Sequence, residues 1–194
     1  YQTTRTGPIA AVKLADGDEV VQVLPSAGRQ QLMLITKLGM SIRFEESEVS
    51  AMGRVAAGVR GIQLKDGDEV AAALLVEGEE GEVLVVTDLG WAKRSLLLDY
   101  PVQGRGGRGL TTFVFNENKR GKSNGSRLIG AFHCKEEAHY ILATASGTAF
   151  TFSSEDTPIE LLRSGGKRVA AVDKQDPAVI SFRRPDRDAR PGES

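Results

Sequence analysis

The stretch Leu34-Ile35-Thr36-Lys37-Leu38-Gly39 returns as Val85-Val86-Thr87-Asp88-Leu89-Gly90 and again as Leu142-Ala143-Thr144-Ala145-Ser146-Gly147, 51 and then 57 residues further on. A second motif keeps nearly the same period. Leu14-Ala15-Asp16-Gly17-Asp18-Glu19-Val20 recurs 50 residues later as Leu64-Lys65-Asp66-Gly67-Asp68-Glu69-Val70. Self-similarity at this spacing in a β-rich chain marks a propeller or solenoid, whose repeats are supersecondary units that stack on their neighbours. Such a fold displays an extended surface rather than one catalytic pocket.

Each unit follows one plan. The apolar run 83–86 (Val-Leu-Val-Val) ends at a glycine-containing turn, and a second strand-like stretch, Trp91-Ala92-Lys93-Arg94-Ser95-Leu96, leaves it. That is a hairpin pattern. A polar or glycine-rich loop follows, then another strand, the Gly-Asp turn and a last apolar run such as 70–76. The runs are short, rich in β-branched residues and without three-to-four spacing, so they read as strands rather than helices. The fold class expected is all-β: a β-propeller, or β-pinwheel, over residues 1–182, with about four four-stranded blades. Residues 27–77, 78–134 and 135–182 each hold a full copy, whereas 1–26 holds only a second half, its start aligning with 53–62. The chain therefore reads as a fragment that begins inside a repeat, with the partial repeat paired to a neighbour. Residues 183–194 contain no apolar residue except Ala189 and are expected to form a disordered tail.

Forty per cent hydrophobic content over 194 residues is enough for a core or several small ones. No apolar stretch approaches the about 20 residues of a membrane span. The single cysteine, Cys134, leaves no internal disulfide framework, and the expected location is the cytoplasm. Net charge is −1, but its distribution is uneven: residues 1–90 carry 8 Lys/Arg against 14 Asp/Glu, and residues 91–194 carry 17 against 12. Such asymmetry points to a polyanion that meets the second half.

The most specific local signal is Gln103-Gly104-Arg105-Gly106-Gly107-Arg108-Gly109. Its glycines leave backbone N–H groups open to a phosphate, and its arginines supply charge and forked donors. It lacks the lysine and hydroxyl residue of a Walker loop and the helix of a dinucleotide fingerprint. Taken alone it reads equally as an exposed connection kept soluble by its arginines. Context favours contact, because a basic residue beside glycine recurs once per unit: Arg5 before Gly7, Arg60 between Gly58 and Gly61, and Arg163, Lys167 and Arg168 around Gly165-Gly166. Recurrence at the blade period would set these groups along one rim as a curved basic track. Lys93 and Arg94, and Lys119, Arg120 and Lys122 in the expanded loop 116–127, complete the set of candidate DNA contacts.

Other chemistry finds little support. His133, Cys134 and His139 lack the spacing of a structural zinc site, and successive strand residues point to opposite faces. No serine or cysteine has a base and an orienting partner at recognisable spacing. The acidic runs 45–48 and 77–82 read as solvated surface that keeps DNA off one face, and Trp91 as a cap on a blade junction rather than a stacking platform. No catalytic residue, cofactor or metal is assigned to the domain.

The succession Gly39-Met40-Ser41-Ile42-Arg43-Phe44, Glu48-Val49-Ser50-Ala51-Met52-Gly53-Arg54, Gly58-Val59-Arg60-Gly61-Ile62, Gly90-Trp91-Ala92-Lys93-Arg94 and Asp99-Tyr100-Pro101-Val102 resembles the C-terminal domain of the DNA gyrase A subunit, and is similar to its topoisomerase IV counterpart. The likeness covers roughly residues 1–182 and is close from 30 to 110. Residues 103–109 look like the family's DNA-wrapping box, with Gly104 where that heptad carries a basic residue, and in a later repeat than the first blade that the box normally occupies. The resemblance implies a strand-exchanging β-pinwheel that wraps duplex DNA without sequence preference. It also implies a non-catalytic part of an ATP-dependent type II topoisomerase, beside a breakage-reunion domain and an ATPase subunit, in the bacterial cytoplasm at the nucleoid. A protein-binding propeller scaffold is the alternative from another class.

Overall fold

Thr36, Thr87 and Thr144 are buried and close three β-hairpins in the same way. Each carbonyl accepts the N–H of the glycine three residues on, Gly39, Gly90 or Gly147, at 3.1 Å. Each hydroxyl accepts the next N–H, from Met40 at 3.1 Å, Trp91 at 3.1 Å or Thr148 at 3.2 Å. The glycines have φ of +81°, +72° and +91°, a region costly to residues with a Cβ. The repeated tetrad is thus a turn whose polar groups are satisfied internally.

The computed structural model describes residues 7, 11–53 and 56–185. The hairpins are β1 (Gln31–Thr36) with β2 (Met40–Glu45), β4 (Glu82–Thr87) with β5 (Trp91–Leu96), and β8 (His139–Thr144) with β9 (Ala149–Ser153), all antiparallel. A short 3-10 turn follows each: Glu46–Glu48, Leu97–Asp99 and Ser154–Asp156. A further strand of each repeat pairs with the free edge of β1, β4 or β8: β3 (Val70–Val76), β7 (Leu128–Cys134) and β11 (Ala178–Arg183). Each of these pairings shifts register where the buried threonine is reached. The outermost strand comes from the following repeat: β6 (Leu110–Thr111) adds to β2, and β10 (Lys167–Arg168) adds to β5. The sheet orders are β3-β1-β2-β6, β10-β5-β4-β7 and β11-β8-β9.

The chain is therefore an all-β propeller of strand-exchanging blades. Among the described residues there are three sheets, of four, four and three strands. Residues 11–26 form no strand; they carry the turn closed by Asp18 N–H to Ala15 O (3.1 Å), and Gln22 Oε1 accepts the N–H of Ala73 (3.1 Å). Arg183, expected in the tail, closes β11. The aligned start at 1–6 and 8–10, and tail residues 186–194, lie outside the described residues.

The cores lie between blades. Met33, Ile35, Leu74 and Val76 of the first sheet pack on Val83, Val85, Leu97, Tyr100, Phe113 and Leu128 of the second repeat. Leu84, Val86 and Ala92 pack in turn on Tyr140, Leu142, Phe152 and Ala178 of the third. Each such side chain contributes about 1.5–3 kcal/mol when fully buried, so the blades hold one another.

Candidate nucleic-acid interface

Because the exchanged strands add to the outermost edges, the loops that lead into them run along the outer rim. The loop before β6 is held by Gln103 N–H to Arg43 O (2.7 Å) and Gly106 N–H to Gly61 O (2.7 Å), with Gln63 N–H donating to Gly107 O (2.8 Å). The loop before β10 repeats this: Glu160 N–H donates to Arg94 O (2.8 Å), and Val114 N–H to Ser164 O (3.0 Å). Gly106 (φ +80°) and Arg163 (φ +63°) occupy the same place, three residues ahead of Gly109 and Gly166. Arg163 is the one non-glycine residue with positive φ among those described, so the loop shape is kept where glycine is not.

The predicted basic residues divide by what their side chains do. Arg108 and Arg163 are exposed on these loops, Lys167 is exposed at the start of β10, and Arg60 is exposed on the segment that Arg105 touches. Arg168 is exposed but folds back, donating to Ala170 O (3.2 Å) and Val172 O (3.3 Å). Half-buried Arg105 donates through Nε to Glu48 O (3.1 Å) and through a terminal nitrogen to Arg60 O (2.6 Å), while its N–H meets Glu48 Oε2 (2.9 Å). It locks the box-like loop to its neighbour. Gln103, Gly106, Gly107 and Gly109 are part of the same rim.

Lys93 and Arg94 are corrections to the expected set. Lys93 is fully buried and its Nζ donates to Leu161 O (2.8 Å). Burial pulls its pKa down to about 8, against the raising influence of Glu160 and Asp99. Arg94 pairs with Glu82 (2.8 Å) and donates to Thr157 O (3.2 Å). Both sit on β5 and hold carbonyls of the next repeat's loop; Lys93 is wholly enclosed, whereas Arg94 keeps 18% of its side chain exposed. The residue missed by sequence reasoning is Arg43, buried and donating to Leu97 O (3.1 Å), Tyr100 O (3.1 Å) and Gly78 O (2.5 Å). Its signal was present, since Arg43 and Arg94 both stand four residues after the turn glycine, where the third repeat has Thr151.

The expanded loop is a tight structure. Asn118 Oδ1 accepts the N–H groups of Arg120 and Lys122 (3.0 Å each), and Glu117 bridges Ser123. Lys119, Arg120 and Lys122 are exposed on it. Lys122 and Arg168, 46 residues apart in sequence, come together with Lys174 and Trp91 around a groove of about 580 Å³. Trp91 also packs against the first inter-blade core. Asp173 lines the same groove and Lys174 pairs with Glu117 (2.8 Å), so its positive charge is partly compensated.

Acidic groups gather elsewhere. Glu45, Glu48, Glu77, Glu79, Glu80, Glu136, Glu137, Glu155 and Asp156 are exposed at one common end of the three sheets, where β1, β4 and β8 begin. His133 lies there too, within 3.0 Å of Glu80 O, while buried Cys134 meets the Tyr140 hydroxyl at 2.9 Å. Among the described residues no group of three or more His, Cys, Asp or Glu side chains is placed to hold a metal ion. Nor is any helix long and apolar enough to cross a membrane.

A strand-exchanging propeller with basic loops on its outer rim and an acidic end defines a class of protein built to present a curved surface. The chain belongs to the family described as the DNA gyrase C-terminal domain, beta-propeller, which matches residues 1–27, 30–77 and 81–122. It is 32% identical over 180 residues to the DNA gyrase A subunit of Chlamydia trachomatis, covering 92% of this chain and 21% of that protein. It is also 32% identical to the Salmonella typhimurium protein of the same name, covering 94% and 19%. The chain thus spans about a fifth of these relatives. The solved C-terminal domain of DNA topoisomerase IV is similar in structure, with TM-score 0.80 and 26% identity, over 89% of this chain and 52% of that one. A DNA gyrase A C-terminal domain shares the fold at TM-score 0.75.

Proposed function

We propose that this chain binds and bends duplex DNA without sequence preference, as the C-terminal domain of a gyrase A protein, and so presents a crossed DNA segment for strand passage. One observation supports the reading: exposed cations stand on or beside the exchanged-strand segments, Arg108 before β6, Arg163 before β10 and Lys167 on β10, with Arg60 on the corresponding segment of the first repeat. Backbone phosphates, not base edges, are the partners of such a track. In the longer protein the domain acts beside the breakage-reunion domain and with the ATPase subunit of the holoenzyme, at the bacterial nucleoid in the cytoplasm, and needs no cofactor of its own. The topoisomerase IV role is the second reading, favoured by the TM-score of 0.80 to that domain. A protein-binding scaffold is the reading from another class, and the exposed Val102, Ile159 and Leu161 of the same loops are the surface it would use.

The test is a salt titration of duplex binding. Changing Arg108, Arg163 and Lys167 together to alanine removes three exposed charges, so the slope of log affinity against log salt should fall by about 3. Unchanged affinity and slope would show that the loops are connectors only.

A further inference from the structure

Among the described residues, Arg163 alone carries a side chain in the left-handed backbone region, with φ +63°. In the matching loop before β6 that place belongs to Gly106, at φ +80°. A residue with a Cβ is disfavoured there relative to glycine, and it persists only where its surroundings over-determine the backbone. The loop before β10 is fixed in this way on both sides of Arg163.

Ahead of it, Pro158 O accepts the N–H of Arg94 (2.8 Å), and Glu160 N–H donates to Arg94 O (2.8 Å). Glu160 O accepts the Ser95 hydroxyl (2.7 Å), while Leu161 O accepts both Lys93 Nζ (2.8 Å) and the Ser164 hydroxyl (2.9 Å). Leu162 packs against the first inter-blade core. Beyond Arg163, Ser164 O accepts Val114 N–H (3.0 Å), Gly165 O accepts Asn124 Nδ2 (3.0 Å), and Gly166 N–H donates to the Glu160 carboxylate (3.2 Å). The Arg163 side chain is exposed, and no hydrogen bond or ion pair among the described residues uses its guanidinium. The box-like loop is arranged the other way round. There Gly106 holds the left-handed place, and Arg105 turns its guanidinium onto Glu48 O and Arg60 O.

We infer that Arg163 is the pre-set grip of this chain on duplex DNA, its guanidinium held outward by a fixed loop to take one backbone phosphate, whereas Arg105 fastens the box-like loop and makes no such contact. The inference rests on the DNA-binding reading above. A backbone fixed before binding leaves only the side chain to be ordered against the phosphate, so the contact loses less entropy than one from a loose loop. The guanidinium fork matches phosphate oxygens and stays charged throughout the working pH range. The carboxylate nearest in sequence, Glu160, is engaged with Gly166 N–H. An arginine that only kept the loop soluble could stand at any of its exposed positions. At the left-handed one it costs stability, and a phosphate contact gives that cost a function.

Three substitutions in the 194-residue chain separate the charge from the backbone. Arg163→Lys keeps both the charge and the strain, Arg163→Ala keeps the strain alone, and Arg163→Gly removes both. Without DNA, the glycine variant should melt about 2–4 °C above the alanine variant. In duplex titrations the alanine and glycine variants should each bind at least about fivefold more weakly at low salt, with the slope of log affinity against log salt lower by about 1; the lysine variant should keep the slope. Arg105→Ala should lower the melting midpoint and leave the slope unchanged. A glycine variant that melts no higher than the alanine variant overturns the inference, and so does a slope that falls as far in Arg105→Ala as in Arg163→Ala. A parent chain that binds no duplex overturns the DNA reading and this inference with it, whereas binding by the parent that is indifferent to Arg163→Ala overturns this inference alone.

Discussion

Lys93 carries an ammonium into a blade junction, and its titration is linked to stability. Its pKa falls from 10.5 to about 8 because burial disfavours the charged form. Between those values the unfolded chain binds the proton more than the folded one, so this residue's contribution to stability rises with pH across the window and is flat below it. Cys134, Tyr100 and Tyr140 are shifted upward by burial and act in the opposite sense. Comparison with Lys93→Met cancels them. The parent's unfolding free energy, relative to this variant and measured by urea denaturation, should climb from about pH 8 to 10.5 and stay constant near neutrality; no pH dependence in that difference would refute a buried, depressed lysine. Lys93 and Arg94 read as surface cations in the sequence because the strand that carries them shows no alternation. Only the loop of the next repeat, laid over β5, makes them internal.

The hairpin turn shows how one element meets two demands. Gly39, Gly90 and Gly147 share a positive φ, which the turn itself requires. Only the first two also receive an exchanged strand closely enough to exclude a Cβ. Replacement by alanine separates these demands. Gly147→Ala should cost about 1 kcal/mol for the backbone alone, and Gly90→Ala about 2 kcal/mol more for the clash with Ala170 O, as read from denaturant midpoints. Equal costs would mean that the exchanged strand retreats freely. The Thr-x-x-Gly hairpins were legible in the sequence since both their residues and their bonds are local. The exchange was implied only by a family resemblance, because no local pattern says which blade a two-residue strand joins.

Across the molecule, charge is sorted by face rather than by half of the chain. Carboxylates from all three repeats share one end of the sheets, and the exposed arginines and lysines of the exchanged-strand loops take the outer rim. On the proposed reading, the acidic end would confine a duplex laterally on that rim and favour a curved path. Bending a site of 20–30 base pairs costs about 1–6 kcal/mol, so the bend should appear only when a duplex is long enough to touch successive loops. Energy transfer between labelled duplex ends at low salt should rise with length until the basic arc is spanned, then level off. DNA that binds yet stays straight at every length would leave a sticky surface without wrapping.

The repeat, the β class, the turn chemistry and the basic loops could all be read from the amino-acid sequence, because each depends on residues near one another in the chain. The strand exchange could not, since it joins residues of different repeats. Nor could the cations be sorted. Arg43, Lys93, Arg94 and Arg105 hold carbonyls of neighbouring segments, whereas Arg60, Arg108, Arg163 and Lys167 face solvent. That division belongs to the packed blades: which guanidinium is buried depends on the backbone of a repeat some 50 residues away, and no pattern along one strand encodes it.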